Sequence, residues 1–338
     1  MSAGATTLTG RPVRVALIAS SRHPVVQPFA GGLEAHVWAL ARALTRRGHE
    51  VTLFAAPGSD ASVATHLIEA EGFGLDLGLS VSAAGDVSMP APAFLAEHHA
   101  YLQLIIGLAG RDAHRFDVVH NHSLHHLPVA MAPSVAVPML STLHTPPTPW
   151  IESAIRVGGG AGVTFVAVSE HTAQEWHHVT GPVDVVYNGV DLQDWPVGPG
   201  GDDLVWSGRL VPEKGAHLAI AAARRAGMAL RLAGPVSDRA YFDAEVAPLL
   251  GGDITYLGHL GRADLAAELG RSAAALVTPE CSALAEPGSV DSLAAAALAA
   301  TGRSRAAARA RAEAHCSAER MVDSYLDLYS GLRQVVAA

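Results

Sequence analysis

Arg209 and Lys214 are the two side chains best suited to hold an anion, in the run Gly208-Arg209-Leu210-Val211-Pro212-Glu213-Lys214-Gly215. Arginine offers a planar fork of donors that matches phosphate oxygens, and lysine adds a compact charge. The run follows an apolar stretch of strand type, Leu204 to Ser207, and leads into a helical pattern from 215. A cation after a strand and another before a helix sit where an α/β domain holds phosphate; on a plain surface loop the same residues would only be solvated. Gly31 and Gly32, in Gly31-Gly32-Leu33-Glu34-Ala35-His36, end a loop and open a helical pattern. Paired glycines let backbone amides approach an anion at the positive end of a helix; the plainer reading is a permissive turn.

The third stretch is His120-Asn121-His122-Ser123-Leu124-His125-His126. His120 and His122 alternate at a strand end, so both rings can project toward one face. A metal hydrolase would use such a pair, but it needs further ligands after other strands, and the sequence places none beside it. No metal is therefore expected. His122 is read as a substrate contact, with histidines that only cap a strand end as the alternative. Two more residues follow strands and offer ligand contacts, His144 in Leu143-His144-Thr145 and Asn188 in Asn188-Gly189. Glu170, after Ser169, reads as a first-turn helix residue meeting the helix dipole.

The elements that must carry these residues alternate. Arg14 to Ser20 is a strand-length apolar run, and Leu33 to Arg47 carries Val37, Leu40, Ala41 and Leu44 at helical spacing. Gly48 stops that helix, and Glu50 to Ala55 is strand-like again. Continuous apolar strands joined by helices predict a buried parallel sheet. Further strands are read at Asp117–His120, Val137–Thr142 and Val163–Val168, and a second cycle from Val183 onward. The expected architecture is α/β, with two doubly wound Rossmann-like domains facing a cleft, over 1–180 and 181–318, and a closing helix at 319–338. In such sheets ligands bind beyond the carboxyl ends of the strands.

Composition narrows the function. Acidic residues outnumber basic ones, 32 to 23, and the net charge is −9, which disfavours nucleic acid as a partner. The two cysteines, Cys281 and Cys316, make no disulfide framework and fit a reducing, cytoplasmic setting. No apolar run reaches the ~20 residues of a bilayer crossing, and the start lacks a signal-peptide pattern; peripheral membrane contact stays open.

Taken together and in this order, these pieces resemble glycosyltransferase family 4, the retaining enzymes of GT-B fold. The carrying residues are GGLEAHVWALARALTRRGHEVTLFA at 31–55, FDVVHNH at 116–122, VAVSEHT at 166–172, VVYNGVD at 185–191 and GRLVPEKG at 208–215. The resemblance implies transfer of a sugar from a UDP- or GDP-linked donor to a small-molecule or envelope acceptor, with retained configuration and no cofactor. Carried over by position, Arg209 and Lys214 would grip the donor diphosphate and stabilise the leaving group. Gly31 and Gly32 would present amides to it, and His122 would lie near the transferred sugar. Gly208, His144, Asn188 and Glu280 would be further ligand contacts.

One departure stands out. After Val277-Thr278-Pro279, the family has a donor segment that opens on a Glu-Pro-Phe-Gly-like run and carries a second glutamate on the helix that follows. Here Glu280-Cys281-Ser282-Ala283-Leu284-Ala285 runs straight into Glu286-Pro287-Gly288. On the order of forty residues are missing relative to the family, worth about one β-α-β step. The resemblance therefore implies a C-terminal sheet shortened by about two strands. A degenerate protein that binds nucleotide, acceptor or a partner without turnover is the alternative function.

Overall fold

The computed structural model describes residues 11–69, 90–276, 285–286 and 288–337. The chain divides into two compact units. The first comprises residues 1–26, 32–189 and 316–338, and the second residues 27–31 and 190–315.

The first unit is built on a seven-stranded parallel sheet of order β3-β2-β1-β4-β5-β6-β7. The strands are β1 (Arg14–Ile18), β2 (Glu50–Ala55), β3 (His66–Glu69), β4 (Val118–Asn121), β5 (Met139–Leu143), β6 (Val163–Ala167) and β7 (Asp184–Val185). This is the Rossmann order, with its switch point between β1 and β4. Helix α1 (Gly32–Arg46) buries Val37, Leu40, Ala41 and Leu44, while Glu34 in its first turn and Arg46 in its last suit the helix dipole. Gly48, at φ 84°, turns the chain out of it. Burying each of Val37, Leu40 and Leu44 stabilises the unit by about 1.5–3 kcal/mol. On one sheet face Ala16, Ile18, Phe54 and Val119 meet Tyr101, Leu104, Ile105 and Leu108 from α2 (Pro92–Ala109). Elsewhere α3 (His126–Ala130), α4 (Pro149–Gly158) and α5 (Glu170–Thr180) bury Val129, Ile151, Ile155 and Trp176 against Leu143 and Phe165. Arg14 donates to both Asp117 carboxylate oxygens, at 3.3 and 3.1 Å, and locks the start of β1 beside β4.

The strand expected to open the second domain belongs instead to the first. Asp184 pairs with Val166 and Val185 with Ala167, so β7 completes the first sheet and the unit runs to Gly189 rather than 180. The physical reason is unspent backbone: β6 has a free edge, and the next extended segment fills it. β3 lies in a stretch whose sequence gave no strand signal.

The second unit holds a four-stranded parallel sheet among the described residues, of order β10-β9-β8-β11, the same switch-point pattern in miniature. Its strands are β8 (Leu204–Ser207), β9 (Leu230–Ala233), β10 (Ile254–Tyr256) and β11 (Ala274–Leu276). Helix α6 (Ala216–Ala226) buries Ala219, Ile220 and Ala223 against Leu204, Trp206 and Leu232. Helices α7 (Arg262–Gly270), α8 (Val290–Thr301) and α9 (Arg305–His315) follow, and α8 packs on α6. One buried cation sits in β9. Arg231 donates to Glu268 Oε2 at 2.8 Å and to Ser272 Oγ at 3.0 Å, and also pairs with Asp203.

The last helix, α10 (Ala318–Ala337), belongs to the first unit and packs on α1. Met321, Val322, Tyr325 and Tyr329 are buried, and Arg47 holds its start through Glu319 (2.8 Å) and Asp323 (2.6 Å). Among the described residues no helix is long and apolar enough to cross a membrane.

Candidate functional site

In the first unit, β4 carries His120 and Asn121 to the carboxyl end of the sheet beside its switch point. His122 follows, fixed by its backbone N–H donating to the Ile18 carbonyl at 2.8 Å. The two rings lie side by side, centroids 4.0 Å apart, as alternation at a strand end requires. Their hydrogen bonding differs. Both ring nitrogens of His120 are engaged, with Tyr329 OH at 2.6 Å and Thr142 Oγ1 at 2.8 Å. His122 reaches His144 Nε2 through Nδ1 at 2.8 Å, but its Nε2 is buried with no hydrogen-bond partner among the described residues. Asn121 is a brace: its amide donates to Ser141 Oγ at 3.0 Å, and its oxygen accepts from Ser123.

The structure adds His36, whose ring centroid lies 5.2 Å from that of His122 and 4.9 Å from that of His144. Its Nδ1 is likewise buried and unpartnered. The expectation that nothing stands beside the His120–His122 pair is thus overturned, because a ring nitrogen from each of His36, His122 and His144 falls within 4.8 Å of the others. These three do not make a clean ligand set, since His122 Nδ1 and His144 Nε2 already hydrogen-bond to each other. The signal for His36 was in the sequence: it lies four and eight residues before Leu40 and Leu44, a polar residue on the buried face of α1. Tyr325 and Tyr329, also four apart, close the bed from α10.

Burial pushes the His36 ring down to about 4, and a hydrogen bond with Asn188 only partly offsets it. Burial, then the neighbouring histidines, push His120, His122 and His144 well below the ordinary imidazole value. The bed is therefore uncharged at neutral pH. Neutral imidazoles offer one donor and one acceptor each, which suits hydroxyl groups better than anions. Asn188 itself is exposed, and Gly189 beside it is pressed against α10; a Cβ there would lie 2.7 Å from Ala318 Cα and Ser317 O. A small apolar recess lies at the ends of β1 and β2, lined by Ile18, Ala19, Phe54, Ala100, Tyr101 and Leu104.

Gly32 opens α1, and a Cβ added to it would meet nothing within 4 Å, so no packing demand requires glycine there. Gly31 falls in the short segment that groups with the second unit.

In the second unit, Arg209 lies two residues beyond β8 and Lys214 ends a helical turn, Pro212–Lys214, just before α6. Both are exposed. Arg209 meets Glu213 at 3.7 Å, a surface contact with both side chains largely in water. Gly215 takes the left-handed conformation at φ 63° and turns the chain into α6. Gly208 has a packing reason of its own, since the Trp206 ring lies 3.2 Å from where its Cβ would be, and a Cβ on Gly234 would in turn strike the Gly208 carbonyl. Glu280 lies outside the described residues.

A family model for Glycosyltransferase Family 4 matches residues 30–194. Glycogen synthase of Mycobacterium tuberculosis is 29% identical over 306 aligned positions, which cover 78% of this chain and 72% of the relative. Two solved structures align along nearly the whole chain. The Anabaena protein HepE, in complex with UDP and glucose, has TM-score 0.67 and 16% identity over 94% of this chain and all of its own. A glycosyltransferase involved in avilamycin A biosynthesis has TM-score 0.58 and 21% identity over 97% of this chain and 99% of its own. At such identities the structural likeness shows the fold, a GT-B pair of Rossmann-like units. The family match across residues 30–194 and the glycogen synthase relative along most of this chain's length support a family 4 glycosyltransferase of this fold.

Proposed function

We propose that this glycosyltransferase moves a sugar from a UDP- or GDP-linked donor to a small-molecule or envelope acceptor in the cytoplasm, with retained configuration and without a resident cofactor. The observation that carries this reading is the Gly208–Gly215 loop, which leaves Arg209 and Lys214 exposed at the carboxyl end of β8 and the start of α6. Charge builds on the departing diphosphate as the glycosidic bond breaks, and fixed cations stabilise it there. Gly31 and Gly32 present backbone amides to the same diphosphate. His122, with His144 behind it, meets a hydroxyl of the transferred sugar through the unpartnered Nε2. UDP and glucose in the Anabaena protein of like fold are in keeping with a UDP-linked donor.

A second reading rests on the chain between β11 and α8. Residues 277–289 are all that separate Leu276 from Val290, too few for a β-α-β step with its crossover of about a dozen residues or more. A second unit lacking the family's donor segment supports binding without turnover. Calorimetric titration of the full chain with UDP, GDP and ADP, then with their sugar conjugates, separates the two. Saturable binding of one nucleotide, with hydrolysis or transfer from its sugar conjugate, is expected. Binding without any turnover across an acceptor panel would select the second reading, and no binding at all would remove Arg209 and Lys214 as a diphosphate site.

A further inference from the structure

A second histidine cluster lies in the first unit, apart from the bed around His122. It joins His98 on α2 to His125 and His126 at the start of α3. One ring nitrogen from each falls within 4.8 Å of the other two. Ring centroids are 5.7 Å apart for His98–His125, 5.5 Å for His98–His126 and 4.5 Å for His125–His126.

Among the described residues, Nδ1 of His98, Nε2 of His125 and Nδ1 of His126 are all buried without a hydrogen-bond partner. Buried polar atoms are nearly always paired, so three orphans in one cluster call for a ligand. Arg22 is near enough to His125 to act on it electrostatically. Trp150 stands edge-on to His125 and His126, at 4.7 and 5.0 Å, and Tyr101 stacks on His125 at 4.4 Å. Three neutral imidazoles walled by aromatic rings are a donor set for a borderline-soft divalent cation, not for a hard one or an anion. His98 and His126 are only partly buried, which leaves an ion a way in.

We propose that His98, His125 and His126 bind one Zn2+ ion, with water completing a tetrahedral set. The ion would brace α2 against α3, beside the recess that Tyr101 lines. His125 sets the chemical condition. Its Nδ1 now accepts from the Leu127 N–H at 3.2 Å, so the neutral ring carries its proton on Nε2, where no acceptor meets it. Ligation through Nε2 moves that proton to Nδ1 and gives up one long cap contact, while all three orphan nitrogens become available to the metal.

The test uses the full chain, stripped with a chelator and titrated with Zn2+, and with Co2+ as a spectroscopic stand-in. One equivalent is expected, with the visible absorption of a tetrahedral Co2+ site. His98→Ala and His126→Ala should each weaken Zn2+ binding at least tenfold, and His144→Ala should leave it unchanged. Failure of the wild type to bind, or binding lost with His144→Ala but kept in the other two, overturns the proposal. Hydrogen exchange on the wild type needs no variant to fold. Zn2+ should slow exchange in residues 92–109 and 126–130, and slowing confined to other segments, or none, also overturns it.

Discussion

The two units solve the same topology with opposite materials. Each has strands in the order three-two-one-four about a switch point, yet the chemistry-bearing residues at the strand ends could hardly differ more. In the first unit they are buried, neutral and tied into the core: His120 is fully buried between Thr142 and Tyr329, and His122 leans on His144. In the second they are cationic and exposed, and Arg209 meets Glu213 at 3.7 Å. Where the second unit does bury charge, it sets Arg231 against Glu268 and Asp203. The proposed chemistry is thus entangled with stability in one unit and separable from it in the other.

The sharpest way to break this comparison is a pair of variants. Arg209→Ala is expected to lower kcat on the order of 10²–10³-fold, about 2.7–4 kcal/mol, as for other groups that stabilise developing negative charge. Its melting temperature should stay that of the wild type, because the side chain is exposed and, among the described residues, its ion-pair partner Glu213 lies 3.7 Å away at the surface. His122→Ala should lower both activity and melting temperature while nucleotide affinity stays near normal. Unchanged turnover in Arg209→Ala would end its assigned role, and an unchanged melt in His122→Ala would end the entanglement.

Acid should separate the units next. The His36 ring is held to about 4 when folded and returns to its ordinary value near 6.5 when unfolded. The unfolded chain therefore binds more protons between those values, and stability falls as pH drops through that window, by about 1.4 kcal/mol per pH unit for each such ring. His120, His122 and His144 add to the same loss. The second unit responds lower down. Burial alone would raise the Glu268 carboxyl, but hydrogen bonds from Arg271 and Arg231 outweigh it and hold the group below its ordinary 4.5. Its contribution is complete above that value and is lost only below it. Hydrogen-exchange protection in β4 and β5 should fall between pH 6.5 and 4.5 while β8 and β9 keep theirs. Parallel loss in both sheets would show that the histidines do not set the acid limit.

The smallest expected effect sharpens the assignment within the bed. Tyr329→Phe removes the hydroxyl that His120 Nδ1 meets at 2.6 Å and leaves a buried nitrogen unpaired. It should cost about 1–3 kcal/mol in urea unfolding, with nucleotide affinity unaffected. No loss would mean that water replaces the tyrosine.

The fold was legible where its period was strong. Val37, Leu40, Ala41 and Leu44 announced α1, and the continuous apolar runs announced the parallel sheets. β7 was misassigned because two residues carry no period, and only the free edge of β6 decides which sheet they join. In the proposed site, residue type and place singled out His122 and Arg209 after strands and Lys214 before a helix. His36, Tyr325 and Tyr329 escaped notice because their relevance lies in what they touch across the fold: His36 and Tyr325 are 289 residues apart in sequence and 3.4 Å apart in space. Nor does spacing alone say that His120 would use both ring nitrogens and His122 only one.

The helix that covers the histidine bed is also the stretch a ribosome makes late. All seven strands of the first sheet have been translated by Val185, yet Tyr325 and Tyr329 follow only after the whole of the second unit. During synthesis the inserted unit, residues 190–315, can collapse while its elder neighbour still exposes His120 and the apolar face of α1. The nascent first unit is then the partner that waits, and a translational pause between 316 and 329 would lengthen its most vulnerable interval.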